Sequence, residues 1–326
     1  MAKKNPLARF EGNPIYAGIK DQLGIIIGLV LLCIFLSFMS PVFMSQRNFF
    51  NVLRQLSNNM FLSCGMLMVI LLGGIDLSVG STMAVTGCLV AGFMTNNGMP
   101  PMAAIVLALL VGLLIGVING GIIASTGIPP FIITLAMMNI GRGFARLYTG
   151  SKTISIDNDF FAYIGTGYIG GVVPTQVVYM IVICLITALL LNKTKFGRNL
   201  YATGGNRQAA EFSGINTRFI TFLVFVFSSL MASIAGIILA SRMFSGTSTA
   251  GTSAEMDAIA AVVLGGTSMS GGVGGLFGTI IGVVLIAVLS NGMNLMGIDS
   301  SWQLVVKGIV IIIAVLIDYF KKAKAS

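Results

Sequence analysis

The apolar positions of this 326-residue chain run in blocks rather than in stripes. Apolar stretches, uncharged or poor in charge and near the ~20 residues that a helix needs to cross ~30 Å of hydrocarbon, recur along its length. They predict helical spans near residues 23–42, 59–73, 79–95, 102–124, 131–148, 175–191, 219–240, 257–271, 275–290 and 299–318. Ten-residue segments of alternating polarity, which would mark a transmembrane β-barrel, do not occur. The pattern therefore predicts an all-α polytopic membrane protein of about ten transmembrane helices, forming a single transmembrane domain over 1–326. The first run, from Leu23 to Val42, is too long for a signal-peptide core and lacks a small-x-small cleavage site, so it is expected to be a retained span.

Two predicted spans are broken by glycine, around Gly73–Gly74–Ile75–Asp76–Leu77–Ser78–Val79–Gly80 and from Gly265–Gly266 to Gly274–Gly275. Inside a membrane, non-helical backbone is tolerated only where protein buries it or water reaches it, which points to a transport path rather than a passive anchor. Gly112, Gly116 and Gly120 recur every four residues, as do Gly274, Gly278 and Gly282, giving small faces for close helix packing. Asn119–Gly120 with Gly127–Ile128, and Asn291–Gly292 with Gly297–Ile298, suggest two related halves.

Composition agrees with the pattern: 56% of residues are hydrophobic and 9% charged, against about 25% charged in soluble domains. The net charge of +9 does not imply nucleic acid, because basic residues of membrane proteins gather in loops facing the cytoplasm. Membrane lipid is the expected surrounding, and no nucleic-acid partner is. Lys3, Lys4, Arg9, Lys20, Lys193, Lys195, Arg198, Arg207, Arg218, Lys321, Lys322 and Lys324 fall on one face; Arg47, Arg54, Arg142, Arg146, Lys152 and Arg242 fall on the other. The richer face places both termini and the loop 193–218 in the cytoplasm, and the loop 149–174 outside. Cys33, Cys64, Cys88 and Cys184 have no paired spacing, and histidine is absent, so neither a disulfide framework nor a metal site is expected.

No Gly-x-x-x-x-Gly-Lys-Ser/Thr loop is present to cradle ATP phosphates. Gly165–Thr166–Gly167–Tyr168–Ile169–Gly170 matches a dinucleotide fingerprint, but without a preceding strand its glycines are read as turn formers. Asp76, beside Ser78, and Asp257 are the acids expected at membrane depth, where charge is costly enough to suggest function. Each also precedes a helical run, where a carboxylate accepts backbone N–H groups, and that structural role is preferred. As proton carriers they would instead serve an ion-coupled secondary transporter. A protease reading fails because Gly73–Gly74–Ile75–Asp76 departs from the Gly-x-Gly-Asp pattern of intramembrane aspartyl proteases. Asp299, Gln303 and Lys307 share one helix face; they line a passage, or Lys307 is tied to an acid of a neighbouring span. Asn291 and Asn294 sit at a span end, as packing groups or as a polar vestibule. Arg142 and Arg146, also four apart, either snorkel to headgroups or meet acidic residues of a docking protein, the latter preferred.

Within the 193–218 loop, Asn206 can cap a helix start and Gly214 can stop it, predicting about two turns from Arg207 to Ser213 that carry Ala209, Ala210 and Phe212. Gln208–Ala209–Ala210–Glu211–Phe212–Ser213–Gly214 resembles the Glu-Ala-Ala-x-x-x-Gly coupling motif of ABC importer permeases, with Gln in place of Glu. Gly74 to Ser81, Gly204–Gly205–Asn206, Asp257 to Ser268, and Asn291 through Gln303 to Lys307 are similar to permeases of ribose-type sugar importers. The resemblance implies the ABC importer permease fold and a permease subunit for a ribose- or allose-type monosaccharide in the bacterial inner membrane. It also implies a homodimer of this chain, a cytoplasmic tandem-cassette ATPase that holds ATP and Mg, and a periplasmic monosaccharide-binding protein. It assigns the chain no covalent chemistry and no cofactor, and makes residues 204–212 and Gly214 the surface that couples to the ATPase.

Overall fold

A computed structural model describes residues 14–323. Lys3, Lys4, Arg9 and Lys324, and the side chains of Lys20, Lys321 and Lys322, which entered the charge assignment, lie outside what is described. A helix occupies each of the ten expected positions: α1 Pro14–Met39, α2 Gln46–Leu71, α3 Val79–Thr95, α4 Pro101–Thr126, α5 Pro130–Thr149, α7 Thr175–Lys193, α10 Thr217–Met243, α11 Ala254–Leu264, α12 Leu276–Leu295 and α13 Ser300–Ala323. Three further helices, α6 Asp159–Thr166, α8 Lys195–Gly205 and α9 Arg207–Phe212, fill the two segments expected to be loops. Five helices, α1, α4, α7, α10 and α12, are long and apolar enough to cross a membrane, and α3 and α13 hold shorter apolar runs.

Local signals set most helix ends. α4 and α5 begin at Pro101 and Pro130, where a missing N–H costs nothing, and end at Gly127 and Gly150 in the left-handed region, φ 71° and 58°. α2 is longer than expected. Its first turns carry Arg47, Arg54 and Asn48 and so break the uncharged block, yet Ser45 caps them by accepting the Asn48 N–H at 3.2 Å. α11 is shorter than expected, because Gly266 (φ 83°), Gly271 (φ 85°) and Gly272 (φ 73°) turn the chain after Leu264.

The exterior differs from that of a soluble domain, with large apolar side chains facing out around a core that also buries polar ones. Residues 60–71 of α2 are buried all round; α7, α10, α11 and α12 pack against this helix, and α3 and α4 pack against α10. Among these central helices Ser63, Asp76, Ser78, Thr82, Thr86, Asn119, Ser228, Ser229 and Ser233 are fully buried, while Phe38, Leu114, Leu147, Leu185 and Ile312 face outward. With hydrocarbon as the solvent, apolar side chains cost nothing outside, and small or hydroxylated residues let helices approach and bond inside. Both glycine faces serve this. A methyl on Gly112 would stand 1.7 Å from the Ser233 hydroxyl of α10, and one on Gly282 would stand 1.9 Å from the Ala261 carbonyl of α11.

At the end of the molecule where α6 lies, β1 (Ile154–Ser155) pairs antiparallel with β4 (Ser245–Gly246), and β2 (Tyr168–Ile169) with β3 (Val173–Pro174). The dinucleotide-like glycines sit here. Gly165 ends α6 against α10, where a methyl would lie 2.4 Å from the Arg242 nitrogen, so close approach explains it. α8 and α9 lie at the other end.

Candidate functional site

The segment 193–218 is two helices and three caps. Thr194 ends α7 and starts α8, accepting the Gly197 N–H at 3.2 Å. Asn206 then joins α8 to α9: its own N–H reaches the Ala202 carbonyl at 3.1 Å, and its side chain accepts the Ala209 N–H at 2.9 Å. Gly214, at φ 80°, stops α9, with the Ile215 N–H on the Ala210 carbonyl at 3.0 Å. Asn216 caps α10 through the Phe219 N–H at 3.0 Å. A six-residue helix is marginal alone, and these bonds are what hold it.

Side chains fix its orientation. Glu211 accepts the Thr217 hydroxyl at 2.6 Å and the Arg207 guanidinium at 3.2 Å, tying α9 to the start of α10. The Thr217 hydroxyl, and then Arg207, hold the Glu211 carboxyl below the ordinary glutamate range. Ala210 is buried against the protein, so it packs the helix down rather than meeting a partner. Arg207, Gln208 and Ala209 are exposed, and Phe212 is 93% exposed. The Phe212 ring therefore stands out from a capped helix.

Beneath the helix pair lies a joint made of backbone. A methyl on Gly204 would lie 1.8 Å from the Leu71 carbonyl and 2.8 Å from the Gly272 nitrogen. Gly272 donates its N–H to the same Leu71 carbonyl at 2.9 Å, and Tyr201 of α8 donates to the Gly274 carbonyl at 3.0 Å. The end of α8, the end of α2 and the glycine break after α11 therefore meet directly. Gly204 belongs to this joint, whereas Gly205 has open space where a side chain would go. The contacts of Gly204 with both helix breaks are backbone to backbone.

Both acids accept hydrogen bonds within the chain, Asp76 from a backbone N–H as expected and Asp257 from a side chain instead. Asp76 is fully buried; one oxygen accepts the Ser78 N–H at 2.9 Å and the Ser78 hydroxyl at 2.6 Å, the other the Ser228 hydroxyl at 2.7 Å. Asn119 donates to the Ser78 hydroxyl at 3.0 Å, so the network binds the α3 entry to α4 and α10. Asp257 lies in the first turn of α11 but, instead of accepting a backbone N–H, pairs with Lys307 of α13 at 2.8 Å. The stripe Asp299, Gln303, Lys307 is thereby divided rather than lining one passage. Asp299 accepts the Ser301 N–H at 2.8 Å. Gln303 donates to the Asn294 side chain at 2.9 Å. Asn291 exchanges amide hydrogen bonds of 2.8 and 3.0 Å with Asn48 of α2, a packing contact.

Arg142 is also committed. It donates to the carbonyls of Ser248 at 2.8 Å, Ala250 at 2.7 Å and Gly251 at 3.4 Å, pinning the 244–253 segment to α5, so it is not free to meet a docking protein. Arg146 remains exposed. Sequence reasoning missed Glu255, buried beside Gly80 with one oxygen unpartnered; an acid in an otherwise apolar helix was the available signal. It also missed that Cys64 and Cys184, both free, come together between α2 and α7.

The chain matches, over residues 48–315, the family described as branched-chain amino acid transport system / permease component. It is 45% identical over 310 residues to the ribose import permease protein RbsC of Bacillus subtilis (strain 168), covering 94% of this chain and 96% of that one. With the ribose import permease protein RbsC of Escherichia coli (strain K12) it shares 43% over the same coverage. The xylose transport system permease protein XylH of Haemophilus influenzae is 33% identical, covering 93% of this chain and 98% of that one. No solved structure matches the chain significantly.

Proposed function

We propose that this chain, which belongs to the family of permease components matched above, is the transmembrane subunit of a bacterial ABC importer that passes a ribose-type monosaccharide across the inner membrane. It is a transport subunit and not an enzyme. In this reading ATP and Mg are bound by a separate cytoplasmic tandem-cassette ATPase, and the sugar is delivered by a periplasmic binding protein. Both termini and α8–α9 face the cytoplasm, and α6 faces the periplasm.

The observation that carries the reading is the capped helix α9, with Phe212 93% exposed, standing on the backbone joint of Gly204, Leu71 and Gly272. Residues 204–212 and Gly214 then divide their work. Arg207, Gln208 and Phe212 meet the ATPase; Asn206, Ala210, Glu211 and Gly214 hold the helix; Gly204 passes its movement on. Gly205 completes α8 beside them.

A second copy of the chain completes the path. α5 exposes Ala136, Asn139, Gly143 and Arg146 along one face, and Thr249 and Thr252 are exposed on the segment that Arg142 pins beside it. Small and polar positions of this kind suit hydrocarbon poorly. They suit a neutral, hydroxyl-rich solute passing between two protomers. Arg146, at the periplasmic end of this face, is the residue left to meet the binding protein.

Deleting the chain from its host should abolish high-affinity ribose uptake. Proteoliposomes holding the chain, its ATPase and its binding protein should restore it with ATP inside. Uptake that persists without the ATPase and collapses with an uncoupler would overturn the reading in favour of an ion-coupled transporter.

A further inference from the structure

α4 packs on α10 and α7 packs on α2, and between α4 and α7 the chain leaves a groove. Its cavity is about 330 Å³, within the range of small-molecule pockets. Leu109, Ile164, Tyr179, Val182, Ile183 and Ile238 are among its lining residues, and nearly all of its surface is apolar. Both flanking helices are apolar spans with exposed aliphatic sides, Leu110 and Leu114 on α4, Leu185 and Leu189 on α7. The groove therefore opens to hydrocarbon and not to water, and what hydrocarbon offers to fill it is an acyl chain.

Two arginines stand beyond the end of the groove nearest α6. Arg242 is four residues past Ile238 on α10, and Arg54 is seven residues before the groove residue Phe61 on α2, so each shares a helix face with a lining residue about one or two turns away. Both are half-buried. Arg54 donates to the Tyr168 hydroxyl and lies 5.1 Å from that ring, but its Nε is buried with no hydrogen-bond partner. Both arginines lie at α6 and the hairpin after it: Gly165 of α6 abuts Arg242, and Tyr168, three residues on, meets Arg54. Among the described residues the ion pairs are Arg207–Glu211 and Asp257–Lys307, so neither arginine has a carboxylate. Two neighbouring guanidiniums, partly desolvated and unpaired, repel each other unless an anion joins them, and the guanidinium fork fits a phosphate.

We propose that this is a phospholipid site, with an acyl chain in the groove between α4 and α7 and the lipid phosphate on Arg54 and Arg242. The site takes an anionic lipid of the leaflet on the α6 side. It holds α6 and the Tyr168 hairpin against α2 and α10, and so ties the loop 149–174 to the membrane surface. The charge at this end runs against the usual bias of membrane proteins toward basic cytoplasmic loops, and a bound phosphate accounts for it.

The test is native mass spectrometry of the assembled, delipidated transporter titrated with dioleoylphosphatidylglycerol. One lipid per chain is expected on the unaltered protein, unaffected by inorganic phosphate. The pair Arg54→Gln with Arg242→Gln should lower occupancy at least tenfold (about 1.4 kcal/mol). Val182→Trp, at a position exposed in the groove wall, should do the same by filling the groove while leaving the fold intact. Arg47→Gln, at an exposed arginine apart from the groove, should keep the lipid. Absence of the lipid from the unaltered protein, or equal retention by all variants, overturns the proposal. So does a double variant that keeps the lipid but loses affinity for the binding protein, which would assign the arginines to protein docking.

Discussion

Replacing Gly204 by alanine adds one methyl group at the joint between the exposed helix pair and the membrane helices. That methyl would lie 1.8 Å from the Leu71 carbonyl oxygen and 2.8 Å from the Gly272 nitrogen, where real Cβ atoms stay beyond 3.0 Å. Both obstacles are backbone and cannot rotate aside, so α8 must withdraw by about 1.2 Å or α2 must bend; overpacking of this kind costs about 1–3 kcal/mol. Set against the coupled arrangement, that is a loss of about 5- to 150-fold in coupling. The assay is ribose uptake per ATP hydrolysed in proteoliposomes containing the ATPase and the binding protein. The expected result is a ratio lowered within that range, with the ATPase still bound because Phe212 and α9 are untouched. Gly205→Ala is the matched control: nothing lies within 4 Å of its added methyl, and alanine favours the helix by about 1 kcal/mol. Its ratio should be unchanged. Equal effects of the two substitutions, or none from Gly204→Ala, would refute the joint as the route of coupling.

Phe212→Ala removes a side chain that is 93% exposed, so the thermal stability of the isolated permease should not move. ATPase affinity, measured by co-purification, should fall by about 2 kcal/mol or more. Lys307→Met leaves Asp257 partly buried without its partner and should cost about 3–5 kcal/mol; adding Asp257→Asn should recover most of it, and identical melting of the single and double variants in detergent would count against the pair. Glu211 should titrate below an ordinary glutamate by isotope-edited infrared spectroscopy, and Thr217→Val should move it back up. Because the folded carboxyl is the more acidic one, its contribution is present above the unfolded glutamate range and is lost as pH falls through the folded value. Ser228→Ala removes one of the hydroxyls on buried Asp76 and should cost about 1–3 kcal/mol, visible as lower yield of folded protein and rescued in part by Asp76→Asn.

The apolar blocks, read alone, located the ten predicted helices, because transfer of a ~20-residue apolar segment into hydrocarbon is a sum of single-residue terms. The capped helix α9 was equally legible: Asn206 and Gly214 act on backbone groups a few residues away, and such local bonds are written in local sequence. Tertiary structure decided what each polar residue touches. Lys307 finds Asp257 and Ser228 finds Asp76 across separations of 50 and 152 residues, Arg142 turns from a docking candidate into the clasp of the 244–253 segment, and α8 appears where the charge pattern suggested a loop. Above all, Gly204 and Gly205 are neighbours in sequence, yet only Gly204 meets a carbonyl from another helix. Burial energy is additive along a chain and can be read residue by residue, whereas contact depends on which surfaces are brought together, and that is fixed only when the helices pack.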